Sequence, residues 1–235
     1  MIPWSLLDTA KVPDGFGDLR LMQRGTEFSI MTGSTELMNS RLSGSEKALA
    51  TLVCARLRPR ERPRLLIGGL GMGFTLRAAL AELGPDAQIV VAELVSAVIA
   101  WARGPMAEIF GGSLTDPRVS LFEGDVGPLI RSAPAAYDAI LLDVDNGPGG
   151  LTRAANDGLY TMAGLAAAHK ALRPGGILAV WSSAPDRDFT QRLRHSGFAV
   201  EEERVRANGK SGARHVIWLA AKAGGARPAP ARAKN

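Results

Sequence analysis

Three acidic residues stand directly after short apolar segments of the chain. Glu93 ends one such segment, Asp125 lies just beyond the next, and Asp143 follows a third. Apolar runs of this length predict buried strands, and the ligands of open α/β sheets bind beyond the carboxyl ends of such strands. A carboxylate at one of these ends can therefore accept hydrogen bonds from hydroxyl or amino groups of a bound molecule.

A glycine-rich loop precedes these acids in the chain. The apolar segment 65–67 runs into Gly68-Gly69-Leu70-Gly71-Met72-Gly73, and a helical pattern follows. Glycines at a strand-to-helix turn let the backbone approach a ligand closely. Glu93 comes 20 residues after Gly73, where nucleoside-binding sites of this type place an acid that accepts from the ribose hydroxyls. The alternative is a plain tight turn, with Glu93 capping the next helix. The loop residues predicted to bind a cofactor are Gly69, Gly71, Met72 and Gly73.

Asp125 has two interpretations that can hold together. In nucleoside-binding α/β folds its position faces the adenine, whose exocyclic amine the carboxylate can bind. Asp125 can also be the N-cap of a helix that begins at Val126. A dehydrogenase is not favoured, because Gly-Leu-Gly-Met-Gly differs in spacing from Gly-x-Gly-x-x-Gly.

The elements that must position these residues alternate regularly. Strands are predicted at 65–68, 88–93, 119–123, 139–142 and 177–182. Helices are predicted at 74–83, 95–109, 126–132, 157–172 and 188–196. Such alternation predicts an α/β protein with a mainly parallel sheet covered by helices. Segments 198–206 and 214–221 flank a glycine-rich turn and predict an antiparallel C-terminal hairpin. This layout is typical of the Rossmann-like methyltransferase fold.

The first 60 residues predict a short β-rich section followed by a helix. Segments 19–22 and 27–31 flank a hairpin turn at Gly25, and Ser45 is the predicted N-cap of the helix. We divide the chain into an N-terminal section, a Rossmann-like catalytic domain and a disordered tail, at 1–60, 61–223 and 224–235.

Length, composition and net charge limit the classes of function that we expect. The chain has 235 residues, and no apolar run is long enough to span a membrane. The start lacks the pattern of a signal peptide, and Cys54 is the single cysteine, so we expect a cytoplasmic protein. The net charge of +5 does not favour nucleic acid, because the basic clusters are not interleaved with aromatic residues. No Cys/His cluster predicts a metal site.

Several of these segments together resemble the spermidine synthase family. Their order and spacing match over residues 65–183. The matching parts are the loop at 69–73, Glu93, Thr115-Asp116-Pro117-Arg118-Val119, Asp125 and Asp138-Ala139-Ile140-Leu141-Leu142-Asp143. The resemblance implies a Class I methyltransferase-like domain that holds decarboxylated S-adenosylmethionine and transfers its aminopropyl group to an amine.

Three departures from the family pattern bear on that activity. Met72 stands where the family has an aspartate that meets the cofactor's ammonium group. The family's Tyr-His-Glu run is replaced here by Gly44-Ser45-Glu46. Its Asp-x-x-Asp-Pro motif corresponds here to Asp143-Val144-Asp145-Asn146-Gly147-Pro148. An aspartate beside the cofactor amine would repel the carboxylate of intact S-adenosylmethionine. Met72 removes that repulsion, so the intact cofactor becomes acceptable.

Asp143 and Asp145 are the candidate catalytic residues. An amine must lose its proton before it attacks a sulfonium carbon, and carboxylates can both hold the ammonium and receive the proton. Proton loss to water is an alternative, and the segment after Asp143 also suits a simple turn. Trp181 fits a pocket wall or the core equally well, and His215 could face either way.

The leading interpretation is therefore methyl transfer from S-adenosylmethionine to a small amine-containing acceptor. The alternative is a polyamine-forming aminopropyltransferase that uses decarboxylated S-adenosylmethionine, and a second alternative is a non-catalytic cofactor-binding subunit. We expect a small-molecule amine as partner and neither a membrane nor nucleic acid, while a homodimer is left open.

Overall fold

The structure is a computed structural model that describes residues 2–13, 17–58, 60–144, 147–148, 158–208 and 211–224. Two β-sheets and seven α-helices make up most of this part of the chain. Asp145 and the tail from residue 225, for which disorder was predicted, lie outside the described residues.

The N-terminal section forms a four-stranded antiparallel sheet. Its strands, which pair in chain order, are β1 (Ser5–Lys11), β2 (Asp18–Arg24), β3 (Glu27–Thr32) and β4 (Thr35–Asn39). The predicted hairpin at Gly25 joins β2 to β3. The sequence did not predict β1, because its side chains are almost all exposed and show no alternation of apolar and polar positions.

The central sheet has seven strands. They are β5 (Arg64–Gly68), β6 (Gln88–Glu93), β7 (Val119–Glu123), β8 (Tyr137–Leu142), β9 (Leu172–Ser182), β10 (Phe198–Arg206) and β11 (Arg214–Lys222). Their spatial order is β10-β11-β9-β8-β5-β6-β7. All pairs from β9 to β7 are parallel, whereas β11 is antiparallel to both of its neighbours. The predicted α/β fold with a C-terminal antiparallel hairpin is confirmed.

Helices cover both faces of this sheet. They are α1 (Gly44–Leu57), α2 (Phe74–Glu82), α3 (Ser96–Arg103), α4 (Ala107–Phe110), α5 (Val126–Ser132), α6 (Met162–Ala171) and α7 (Arg187–His195). Successive strand side chains point to opposite faces, so Leu65 and Ile67 join the core under α1 to α3 while Leu66 joins the core under α5 to α7. Among the described residues, no helix has the length and apolar character needed to cross a membrane.

Three differences between the predicted and observed elements have a clear physical cause. The helix predicted at 95–109 is two helices, because it is interrupted at Gly104, which precedes a proline and is non-helical. Strand β9 begins at Leu172 rather than at 177, since Leu172 already pairs with Tyr137. Ser45 is not the N-cap of α1: the helix begins one residue earlier, Ser43 precedes it without a side-chain cap, and Ser45 is buried.

Candidate functional site

The glycine-rich loop joins β5 to α2 at the carboxyl edge of the sheet. Gly69, Gly71 and Gly73 all have positive φ angles, of +88°, +49° and +73°. A Cβ at Gly69 would collide with the carbonyl oxygen of Asp143, and one at Gly73 would collide with the Phe110 ring. The loop therefore packs tightly on β8 and α4, and a side chain is excluded by both conformation and contact.

Glu93 ends β6 beneath this loop and is buried. Its carboxylate accepts hydrogen bonds from the backbone N–H groups of Leu70 and Val95, each at 2.9 Å. Burial raises the pKa of this carboxyl, and the backbone donors oppose that effect. Glu93 thus fastens the loop to the residue that precedes α3, although the N-cap of that helix is Val95 rather than Glu93, and it also lines the cleft beside the loop.

Asp125 follows β7 on the other side of the same cleft. Its Oδ1 atom accepts from the Gly127 N–H at 2.7 Å, so the interpretation of Asp125 as the N-cap of α5 is confirmed. The residue also lines the cleft, which is compatible with the second role predicted for it. Contact with an adenine stays a prediction.

Residues of the N-terminal sheet and of the segment after β1 line part of the cleft. Its floor contains Gly69, Gly71, Glu93, Asp125 and Asp143. The facing wall is apolar except for Thr32, and it consists of Val12, Leu19, Thr32, Leu37 and Met38. An elongated ligand with a polar edge and an apolar face suits such a cleft.

A second pocket continues from the cleft past Gly71 and Asp143. We name it the acceptor pocket, and it is lined by Leu37, Met38, Glu46, Leu70, Gly71, Met72, Gly73, Phe74, Asp143 and Trp181. Leu37, Met38, Gly71 and Asp143 belong to both cavities. The two cavities therefore meet where the glycine loop faces the end of β8.

Two carboxylates line the acceptor pocket. Oδ2 of Asp143 accepts from the Thr75 hydroxyl at 2.6 Å. Burial and the nearby charge of Glu46 raise the pKa of Asp143 to about 7, against the lowering effect of the Thr75 hydrogen bond. A pair of this kind attracts a cation, because one positive group relieves the repulsion between the two acids.

The sequence analysis did not select Glu46 as a site residue. It lies in the first turn of α1, far in the chain from the glycine loop, and its carbonyl oxygen also accepts from Thr75 at 3.3 Å. The one signal was its survival in the Gly44-Ser45-Glu46 run. Trp181 fulfils both of its predicted alternatives, since it lines the pocket and packs against the core.

Met72 is buried, with 4% of its surface exposed, and lines the acceptor pocket beside Gly71 and Gly73. The loop position that carries an aspartate in the resembled family is therefore apolar here. A buried thioether offers no charge to an ammonium group and no repulsion to a carboxylate.

The strand order, the glycine loop and the acids at the strand ends together define a Rossmann-like methyltransferase fold. Comparison with solved structures agrees: the chain superposes on spermidine synthase from Thermotoga maritima with a TM-score of 0.72 and 16% identity, covering 92% of this chain and 72% of that one. No protein-family model matches the chain.

Comparison with curated sequences shows which enzymes the chain resembles. The chain is 34% identical over 134 residues to the polyamine aminopropyltransferase of Korarchaeum cryptofilum, which is 56% of this chain and 39% of the relative. It is 34% identical over 123 residues to putrescine N-methyltransferase 1 of Nicotiana tabacum, which is 51% of this chain and 30% of the relative. The chain thus spans well under half the length of these curated relatives.

The chain is similar in sequence to polyamine aminopropyltransferases and in fold to spermidine synthases, as the resemblance indicated. The names of its relatives support the alternative, aminopropyl transfer, better than the methyl transfer that we ranked first, although putrescine N-methyltransferases also appear among them.

Proposed function

We propose that the protein is an aminopropyltransferase that acts on a small diamine. The observation that carries this proposal is the pair Glu46 and Asp143, which line one pocket next to the glycine loop. A diamine is doubly cationic at neutral pH, and paired carboxylates in a partly enclosed pocket bind such cations through charge-assisted hydrogen bonds.

The cleft suits the nucleoside part of decarboxylated S-adenosylmethionine. In this proposal the Glu93 carboxylate binds the ribose hydroxyls and Asp125 binds the adenine amine, which is supported by the presence of both residues in the lining of the cleft. Gly69 and Gly71 have no side chains that would block close backbone approach. When bound, this cosubstrate supplies a sulfonium carbon that an amine nitrogen can attack, with methylthioadenosine as the leaving group. The residues of the acceptor pocket hold and orient that amine.

Asp143 is the proposed catalytic residue, with Asp145 as the candidate that the structure does not describe. Because its pKa is raised to about 7, Asp143 is poised to accept a proton near neutral pH. A cationic amine beside it favours the ionised carboxylate, which then orients the nitrogen and can take the proton that the amine gives up.

Methyl transfer to a diamine is the second candidate, and Met72 is the observation that favours it. Its apolar side chain does not repel the carboxylate of intact S-adenosylmethionine, so this site lacks one means of rejecting that cofactor. The same acceptor pocket would serve both reactions, since each needs an amine aligned with a sulfonium carbon.

The experiment is a direct comparison of the two cosubstrates. The purified chain is incubated with putrescine and either decarboxylated or intact S-adenosylmethionine, and products are identified by mass spectrometry. Spermidine with methylthioadenosine supports the proposal, while N-methylputrescine with S-adenosylhomocysteine supports the second candidate. Absence of both products, with each cosubstrate bound, refutes a diamine transferase. Asp143→Asn tests whether transfer depends on a carboxylate in the pocket. Asp86→Asn is the matched control, because it removes the same charge at an exposed position.

The proposed partner is a free diamine. A cytoplasmic location is part of the same proposal. Localising a tagged full-length chain by fractionation tests it.

A further inference from the structure

Three side chains behind the acceptor pocket form a hydrogen-bonded row. Oγ of Ser45 lies 2.7 Å from Oε2 of Glu46 and 2.9 Å from Nδ1 of His215. Ser45 lies in the first turn of α1 and is 1% exposed, while His215 lies near the start of β11. The row therefore connects the pocket carboxylate, through Ser45, to an imidazole that lies 170 residues after Ser45 in the chain.

The chemistry of the groups fixes the direction of these hydrogen bonds. A carboxylate can only accept, so the single hydroxyl proton of Ser45 is donated to Glu46. The Ser45 oxygen can then only accept from His215. Consequently Nδ1 of His215 must carry a proton, and the row runs His215 to Ser45 to Glu46.

We propose that His215 and Ser45 are positioning residues that hold the Glu46 carboxylate toward an ammonium group in the acceptor pocket. This inference rests on the proposed function for the identity of the amine, and it assigns a role to a histidine that sequence reasoning left undecided. Ser45 and Glu46 lie in α1, and the imidazole comes from β11, the last strand among the described residues.

The surroundings of His215 support a fixed orientation of its ring. The indole of Trp181, which lines the acceptor pocket, meets it edge-on at 4.8 Å between ring centroids and an interplanar angle of 72°. Burial lowers the pKa of His215, while the charge of Glu46 opposes that effect. An imidazole held between Trp181 and Ser45 keeps its Nδ1 proton pointed at the hydroxyl.

A ligand-free measurement tests the row directly. Nitrogen-15 NMR of histidine-labelled protein distinguishes a ring protonated at Nδ1 from one protonated only at Nε2. We expect His215 to carry its proton at Nδ1 in the wild-type protein and to lose this preference in Ser45→Ala. An unprotonated Nδ1 in the wild type overturns the proposal, whatever the protein binds.

Kinetics with putrescine and decarboxylated S-adenosylmethionine test the functional role. His215→Phe and Ser45→Ala should each raise the KM for putrescine about 10-fold, because Ser45→Ala removes the hydrogen bond to the Glu46 carboxylate and His215→Phe removes the donor that orients the Ser45 hydroxyl. The KM for the cosubstrate should stay within about 2-fold, since the row does not line its cleft. His215→Asn keeps an N–H donor near the position of Nδ1 and should recover most of the loss.

A double variant and a matched control sharpen the result. Because both residues act through Glu46, the double variant Ser45→Ala with His215→Phe should be about as impaired as either single variant, rather than multiplicatively worse.

His169→Phe is the control, because His169 also contacts an aromatic ring, that of Phe198, but lies outside the acceptor pocket. A fall in putrescine affinity in that control would point to a general packing effect and contradict the proposal.

The two proposals fail in different ways. Normal spermidine formation and an unchanged putrescine KM in both Ser45→Ala and His215→Phe overturn the positioning role and leave the proposed function standing. Absence of transfer, with putrescine binding by calorimetry that weakens in both variants, overturns the proposed function and supports the positioning of Glu46. If His215→Phe fails to fold, Ser45→Ala and the NMR measurement still decide.

Discussion

Replacing Asp143 by asparagine should make the protein more stable at high pH than at low pH, relative to the wild type. In the folded protein this carboxyl keeps its proton up to about pH 7, whereas in the unfolded chain it loses it near the ordinary value of 3.8. A raised folded-state pKa contributes stability that is complete below pH 4 and is lost as the pH rises through 7. Asparagine does not titrate, so the variant escapes this loss.

The magnitude follows from the two pKa values. A rise from 3.8 to about 7 corresponds to about 4 kcal/mol of unfolding free energy. Asp143 is partly accessible to solvent, which screens the charge, so we expect the variant to gain about 2–4 kcal/mol on the wild type between pH 4 and pH 8. Contributions of titrating groups that do not interact with Asp143 cancel in the difference between the two proteins.

Urea unfolding of both proteins at pH 4.5, 6 and 8 measures this difference. The variant with the exposed Asp86 replaced, Asp86→Asn, serves as the control. The difference between its free energy of unfolding and that of the wild type should be the same at all three pH values. If the difference between Asp143→Asn and the wild type is the same at all three values, the Asp143 carboxyl is not held protonated by burial and by Glu46. The same variant should bind putrescine more weakly at pH 8, because the charge that holds the ammonium is missing.

Three further changes have expected outcomes. Glu93→Gln should weaken binding of either cosubstrate by about 1.5–3 kcal/mol in calorimetry, because an amide cannot accept from two backbone N–H groups and a ribose hydroxyl together; unchanged affinity would exclude the ribose role. Met72→Asp should shift the ratio of binding constants toward decarboxylated S-adenosylmethionine and lower the melting temperature of the free protein, since the new charge is buried; an unaltered ratio would show that this position does not contact the cofactor's amine. Gly73→Ala should cost at least about 2 kcal/mol in urea unfolding, because φ is +73° and the new Cβ meets the Phe110 ring; wild-type stability would mean that the loop can rearrange.

The sequence predicted those parts of the fold that rest on local patterns. Strands β6 and β7 and helix α5 begin and end as predicted, because apolar runs and the Asp125 cap mark them unambiguously. Strand β1 was missed because an exposed edge strand carries no burial pattern. The interruption of the helix at Gly104 was overlooked, although the following proline signals it.

The candidate site likewise contains residues that the sequence predicted and residues that it did not. The glycine loop and Glu93 are close in the chain and follow a known order of strand, loop and helix, so spacing sufficed to connect them. Glu46 lies beside Asp143 only because α1 packs against α2, and no periodicity encodes that contact. The approach of His215 to Ser45 depends on the antiparallel placement of β11 in the sheet, which likewise is not a local property.

The shared wall between cleft and acceptor pocket has a consequence for inhibitor design. Since Gly71 and Asp143 line both cavities, molecules that occupy the two cavities would lie next to each other. A compound that joins an adenosine part to a diamine part would then need only a short linker. Its second half would bind at the high effective concentration of a tethered group, so its affinity should greatly exceed that of either half alone.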